Sequence, residues 1–159
     1  MSRWCALLAS PVAVCILAGC LSSRPVPEFA GATGSASQAL GSFTIASPVL
    51  GQKTLSPTSC SAGDHQFFLG ADFSDPASGL VLRLVVDALE GPAVRLYAAD
   101  AEFDKSVVFR RAECSVFHFS LDSTGWRVNK VYDYRLTLQL DCSRAGDSIV
   151  GSLSSTHCH

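Results

Sequence analysis

Arg135-Leu136-Thr137-Leu138-Gln139-Leu140-Asp141 alternates apolar and polar residues without a break. Leu136, Leu138 and Leu140 fall on one face of an extended chain, and Arg135, Thr137, Gln139 and Asp141 on the other. A period of two is what a strand with one buried and one wet face requires. Val116-Phe117-His118-Phe119-Ser120-Leu121 repeats the pattern, with Phe117, Phe119 and Leu121 inward and His118 outward. Residues 80–88 are more fully apolar, with Arg83 and Asp87 on one face, as in a central strand. Turn chemistry punctuates these runs. Glu90-Gly91-Pro92 joins 80–88 to 93–98, and Ser143-Arg144-Ala145-Gly146 joins 135–142 to 149–155. Asp122-Ser123-Thr124-Gly125 is read as a third turn, separating 116–121 from a strand over 126–132. Further strands are expected near 43–49, 66–73 and 106–110, and 98–105 has room for one helical turn at most. About eight short strands and no amphipathic helix predict an all-β domain, an antiparallel β-sandwich or small barrel.

Composition bounds the rest. The chain has 159 residues, 48% hydrophobic and 16% charged, which suits one domain with a packed core. Arg3 is the sole charged residue before Cys20, so the chain from Cys20 onward carries 11 basic and 14 acidic residues, a net charge of −3. Nucleic-acid binding needs a clustered basic face. A weakly acidic domain with one adjacent basic pair, Arg110-Arg111, gives no case for it.

The N-terminus has a different character. Arg3 is followed by an apolar run from Cys5 to Ala18, interrupted by Pro11. Its length fits a secretory signal and falls short of the roughly 20 residues a membrane span needs. The run ends in Leu17-Ala18-Gly19-Cys20, which resembles the lipobox of bacterial lipoproteins at every position. The resemblance covers the first 20 residues. It implies removal of residues 1–19 as a signal peptide, a diacylglyceryl group on the Cys20 thiol and anchoring in a membrane. Leu21, in place of the Asp that favours inner-membrane retention in that family, implies the outer membrane if the organism is Gram-negative. Residues 20–42 then form the lipidated cysteine and a flexible linker rich in Pro, Gly, Ser and Ala. The 22 residues after Cys20 reach roughly 25 Å on average as a coil. Residues 43–159 make the β domain.

The anchor sorts the cysteines. Cys5 and Cys15 leave with the signal and Cys20 is acylated, so Cys60, Cys114, Cys142 and Cys158 remain. Four cysteines in an exported domain predict two disulfides. If 135–142 and 149–157 form a hairpin, Cys142 lies near its turn and Cys158 at its far end. That puts them more than about 20 Å apart, too far to bond. Cys142 therefore pairs with Cys60 or Cys114, and the expected set is Cys60–Cys142 with Cys114–Cys158.

Several groups invite a chemical reading. His157-Cys158-His159 sets two imidazoles around a thiol, a donor set for zinc or copper; an oxidising compartment assigns the thiol to a disulfide instead, and no cofactor is expected. Gly146-Asp147-Ser148-Ile149 resembles the nucleophile block of GDSL-type hydrolases, but lies in a turn near the C-terminus, where a turn residue is the ordinary reading. Asp72 and Asp75, and Asp100 and Asp104, are read as turn-rim acids rather than calcium ligands. Trp126, Tyr97, Tyr132 and Tyr134 would stack on sugars if gathered in one cleft. The reading that follows is a membrane-tethered, non-enzymatic binding or structural module with a protein or glycan partner in the envelope. A carbohydrate or small-ligand module is the alternative, and a hydrolase or metal-binding protein a third class.

Overall fold

The computed structural model describes residues 38–101 and 105–159. Residues 1–19, expected as a signal peptide, Cys20 and the expected linker as far as Ser37 lie outside them. Ten strands are present among the described residues: β1 (Ala39–Ser47), β2 (Gly51–Leu55), β3 (Ser59–Ala62), β4 (Gly70–Asp75), β5 (Leu80–Asp87), β6 (Gly91–Ala98), β7 (Val107–Arg110), β8 (Cys114–Val128), β9 (Val131–Arg144) and β10 (Asp147–Cys158). They form two antiparallel five-stranded sheets, ordered β2-β1-β10-β9-β8 and β3-β4-β5-β6-β7. The architecture is a β-sandwich, not a closed barrel.

The alternation read from the sequence sets the core. Leu136, Leu138 and Leu140 of β9 pack with Phe43 and Ile45 of β1 and Ile149 and Leu153 of β10 against Phe73, Leu82, Leu84, Leu96 and Phe109 of the facing sheet. Removing one such leucine side chain from water is worth roughly 1.5–3 kcal/mol. β5 is the middle strand of its sheet, as its apolar run predicts. β4 starts at Gly70, later than the expected 66–73, because Gly63–Gln66 form a short 3-10 turn. β1 starts at Ala39, so residues 39–42, expected in the linker, belong to the first strand. β2 and β3 escape the pattern because they are short edge strands with few inward side chains, Leu55 in one and Cys60 and Ala62 in the other.

Two hairpins share one turn chemistry. Ser47 and Asp87 each begin a three-residue loop, and their side-chain oxygens accept from the backbone N–H groups two and three residues on. Gly51 and Gly91 close these loops at φ +78° and +77°, the left-handed position such loops reserve for glycine. The β9–β10 reversal is a two-residue turn at Ala145 and Gly146, both with positive φ.

The third expected turn is corrected. Asp122-Ser123-Thr124-Gly125 does not reverse the chain; β8 runs through it, paired with β9 on both sides. Its turn chemistry is real, since Ser123 Oγ accepts from Gly125 N–H and Thr124 Oγ1 from Trp126 N–H. The ladder steps from Ser123↔Tyr134 to Arg127↔Tyr132, so these hydrogen bonds build a bulge. The reversal comes at Asn129 and Lys130, with φ of 50° and 71°, the paired left-handed geometry of a tight hairpin.

The disulfides are Cys60–Cys158 and Cys114–Cys142. Cys142 does not bond Cys158, in keeping with the hairpin argument, but the expected Cys60–Cys142 and Cys114–Cys158 pairs are overturned. Once β8 passes through residues 122–125, Cys114 and Cys142 stand opposite each other in its ladder with β9. Cys60, on edge strand β3, instead meets the end of β10 at Cys158, with the Cα atoms 5.0 Å apart. One bridge staples neighbouring strands, and the other ties the two sheets together.

Contacts between the sheets fix how they cross. β3 and the 3-10 turn after it meet the Tyr134 end of β9, through Cys60–Cys158 and through Tyr134 Oη, which donates to Asp64 at 3.4 Å. β7 meets the opposite end, where Arg144 donates to Val108 O at 3.0 Å. The strand order of one sheet therefore runs along the strands of the other, an orthogonal packing rather than an aligned one.

Candidate functional site

The long β8–β9 hairpin outruns its neighbours. β10 pairs continuously with β9 from Arg144 back to Leu136, slips, and makes its last pairing at Cys158↔Tyr134. Residues 125–132 therefore project as an arm. At its tip Trp126 is 74% exposed, and Tyr132 and Val128 are exposed beside it. Arg127 stacks on the Tyr132 ring, 4.0 Å from its centroid, and donates to its hydroxyl.

The root of the arm is built on Asp133. Its side chain is buried, and every approach to it is a donor. His157 Nδ1 lies 3.0 Å from Oδ2 and Thr124 Oγ1 donates to the same oxygen at 2.9 Å. Cys158 N–H donates to Oδ1 at 3.0 Å, and His159 Nδ1 approaches that oxygen at 3.4 Å. Burial alone would raise the Asp133 pKa, but hydrogen bonds from His157, Thr124, the Cys158 N–H and His159 outweigh it and hold the carboxyl below its ordinary value. The bulge supplies Thr124 and the β10 slip supplies the tail, so one carboxylate locks the C-terminus and the arm together. Ser155 Oγ adds a bond to Gln38 O at 3.1 Å, tying the point where β1 enters to the same end.

A second polar cluster lies on the outer face of the other sheet. Arg83 donates to both oxygens of Asp72, at 2.7 and 2.6 Å, bonds Gln66, and stacks over Phe68 at 4.5 Å. The Asp72 hydrogen bond is the main cause that raises the Arg83 pKa. Such an arrangement fixes a sheet face and leaves Asp72 accepting from Arg83 rather than waiting for a cation.

The sequence-predicted groups fall as follows. Cys60, Cys114, Cys142 and Cys158 are all in disulfides, so the C-terminal tail offers no thiolate. His157 and His159 both turn Nδ1 toward Asp133. Among the described residues, no three His, Cys, Asp or Glu side chains are grouped to hold a metal ion. Ser148 sits at the start of β10, beside the β9–β10 turn; His157 is nine positions along the same strand, roughly 30 Å away. His118 is exposed on the outer face of β8. Asp75 accepts from Ser56 N–H and Ala77 N–H, which caps the β4–β5 turn, and Asp104 lies outside the described residues. Arg110 pairs with Glu90 at 2.8 Å on the surface. The four aromatics do not gather: Tyr97 lies on β6 in the other sheet, near Arg83, Trp126 and Tyr132 are on the arm, and Tyr134 lies at its root, bonded to Asp64. An open cleft of about 690 Å³, lined by Lys53, Thr54, Ser56, Thr58, Asp75, Ala77 and Ser78, holds none of them.

No protein-family model, curated protein or solved structure matches the chain. Any functional reading rests on its own residues.

Proposed function

We propose that this chain is an exported lipoprotein, held to a membrane by acyl chains on Cys20, whose β-sandwich serves as a non-enzymatic binding or structural module. One observation carries the reading. All four cysteines after the lipobox are paired in the fold, which leaves Cys20 as the one thiol of the expected mature chain outside the disulfides. Disulfides of this kind persist in oxidising compartments, where a lipobox protein is delivered. Two or three acyl chains give a stable anchor, where one would be marginal.

The non-enzymatic part is supported by the way the polar groups are used. Thr124, His157 and His159 all bond Asp133 at the foot of the arm, and Ser148 lies at the other end of β10. The partner surface is the exposed arm tip, where Trp126, Val128 and Tyr132 lie beside Arg127 and Lys130.

The test is Cys20→Ser. Metabolic labelling with a fatty-acid analogue should mark the wild-type protein and not the variant, and the variant should leave the membrane fraction. A Cys20→Ser protein that is still acylated and membrane-bound would contradict the anchor.

A further inference from the structure

We propose that the tip of the β8–β9 arm is a second membrane contact, entering the headgroup region of an anionic bilayer through Trp126, Val128 and Tyr132 with Arg127 and Lys130 on the lipid phosphates. The proposal rests on the Cys20 anchor and assigns the arm its occupant.

Position comes first. β1 and β9 run in the same direction, since both are antiparallel to β10. Ala39 pairs with Ser155, and Ser155 with Leu136. The described chain therefore enters the sheet at the end from which the arm projects. The tip at Asn129 and Lys130 lies six or seven residues beyond Leu136, roughly 20 Å past the level of Ala39. Cys20 precedes Gln38 by 18 positions, and 18 residues can reach at most about 65 Å. The described chain thus begins at the end of the domain from which the arm projects, which is where a bilayer holding acyl chains on Cys20 would meet the tip.

Chemistry comes second. From Thr124 to Tyr132 the sequence has two cations, two aromatics and no acid, although the chain from Cys20 onward is net acidic. Trp and Tyr carry an apolar body with a polar edge and are enriched where a bilayer meets water. Nearby Lys and Arg are drawn to anionic headgroups. The apolar exposure also continues around the base: Leu40 is exposed next to the entry point, and Phe67 is fully exposed three residues from Asp64, which bonds Tyr134. Val49, Leu89 and Val150 are exposed elsewhere, each without an adjacent aromatic.

Linkage comes third. So small a tip binds weakly alone. A tether turns its binding into an intramolecular step at high effective concentration, as a basic patch supplements an acyl chain. Asp133 ties the root of the arm to the β10 tail, so contact at the tip would set the orientation of the sandwich on the membrane.

The mature protein supplies its own probe, because Trp126 is the one tryptophan after Cys20. The lipidated protein is reconstituted into phosphatidylcholine vesicles with and without phosphatidylglycerol, and flotation with mass measurement establishes that it carries lipid. In anionic vesicles Trp126 emission should shift to the blue, be quenched by brominated lipid and lose its quenching by acrylamide. The shift should shrink in pure phosphatidylcholine, at ~1 M salt, where the screening length falls to about 3 Å, and in Arg127→Glu. Lys130→Glu should weaken it independently; it leaves the Arg127–Tyr132 stack intact. A lipidated, vesicle-bound protein whose Trp126 stays as water-exposed as in the Cys20→Ser protein overturns the proposal and leaves the anchor standing. A mature chain without lipid removes both.

Discussion

Asp133 shows what a single side chain does for the whole arm. It brings the β10 tail, the β8 bulge and the foot of β9 to one carboxylate, and its donors hold its pKa below the ordinary 3.8. A carboxyl with a depressed folded pKa gives stability that is fully present above the unfolded value and lost as pH falls through the lower folded value. Asp133→Asn keeps the shape but loses the charge that His157, Thr124 and Cys158 N–H address, and turns a donor toward them. It should cost about 1–3 kcal/mol at pH 7. Urea midpoints should show the gap between wild type and variant narrowing below about pH 4, and a gap constant down to pH 2 would contradict this role. Asp133 was not legible in the sequence. The alternation that buries Leu136, Leu138 and Leu140, carried back along β9, points Tyr132 and Tyr134 inward and Asp133 outward. The slip in the β10 ladder between Ser155 and Cys158 breaks that parity and lays the tail over Asp133. A bulge in a partner strand leaves no mark on the strand it re-aims.

Elements with a strict period were legible, and those shaped by local hydrogen bonds were not. The inward faces of β5, β8 and β9 follow directly from residues 80–88, 116–121 and 135–141, because burial on one side demands period two. The error at Asp122-Ser123-Thr124-Gly125 has a physical source: the same side-chain-to-backbone bonds and the same left-handed Gly125 serve a turn or a bulge. Only cross-strand pairing decides between them. Close strand approach is a second feature hidden from composition. Gly151 has φ +151°, and a Cβ there would lie 2.1 Å from Ser42 O on β1. Gly151→Ala should therefore destabilise the domain by about 1–3 kcal/mol or more. Gly51→Ala, at φ +78° with open space around it, should cost only the left-handed penalty of about 1–2 kcal/mol. Equal losses in urea midpoint for the two would contradict the close approach of β1 and β10.

At the scale of the molecule, the two disulfides divide the work. Cys60–Cys158 closes a separation of 98 residues between sheets, and Cys114–Cys142 one of 28 within a hairpin. On chain entropy the first contributes about 4.7 kcal/mol and the second about 3.6 kcal/mol. Replacing Cys60 and Cys158 by serine should thus lower the thermal midpoint more than replacing Cys114 and Cys142. The reverse order would place the weight on the arm instead. That four cysteines pair was readable from their number and the expectation of export. Which ones pair was not, because it depends on the long β8–β9 register and on sheets that cross rather than align. The central claim is that one cysteine is kept for lipid while the other four hold a β-sandwich together. Intact-mass measurement of the mature protein from membranes, with non-reducing peptide mapping, tests it most directly. The account predicts a chain beginning at Cys20 with a diacylglyceryl group, bridged Cys60–Cys158 and Cys114–Cys142, and no free thiol. A mature chain that begins elsewhere, lacks lipid or carries a free cysteine among those four would contradict it.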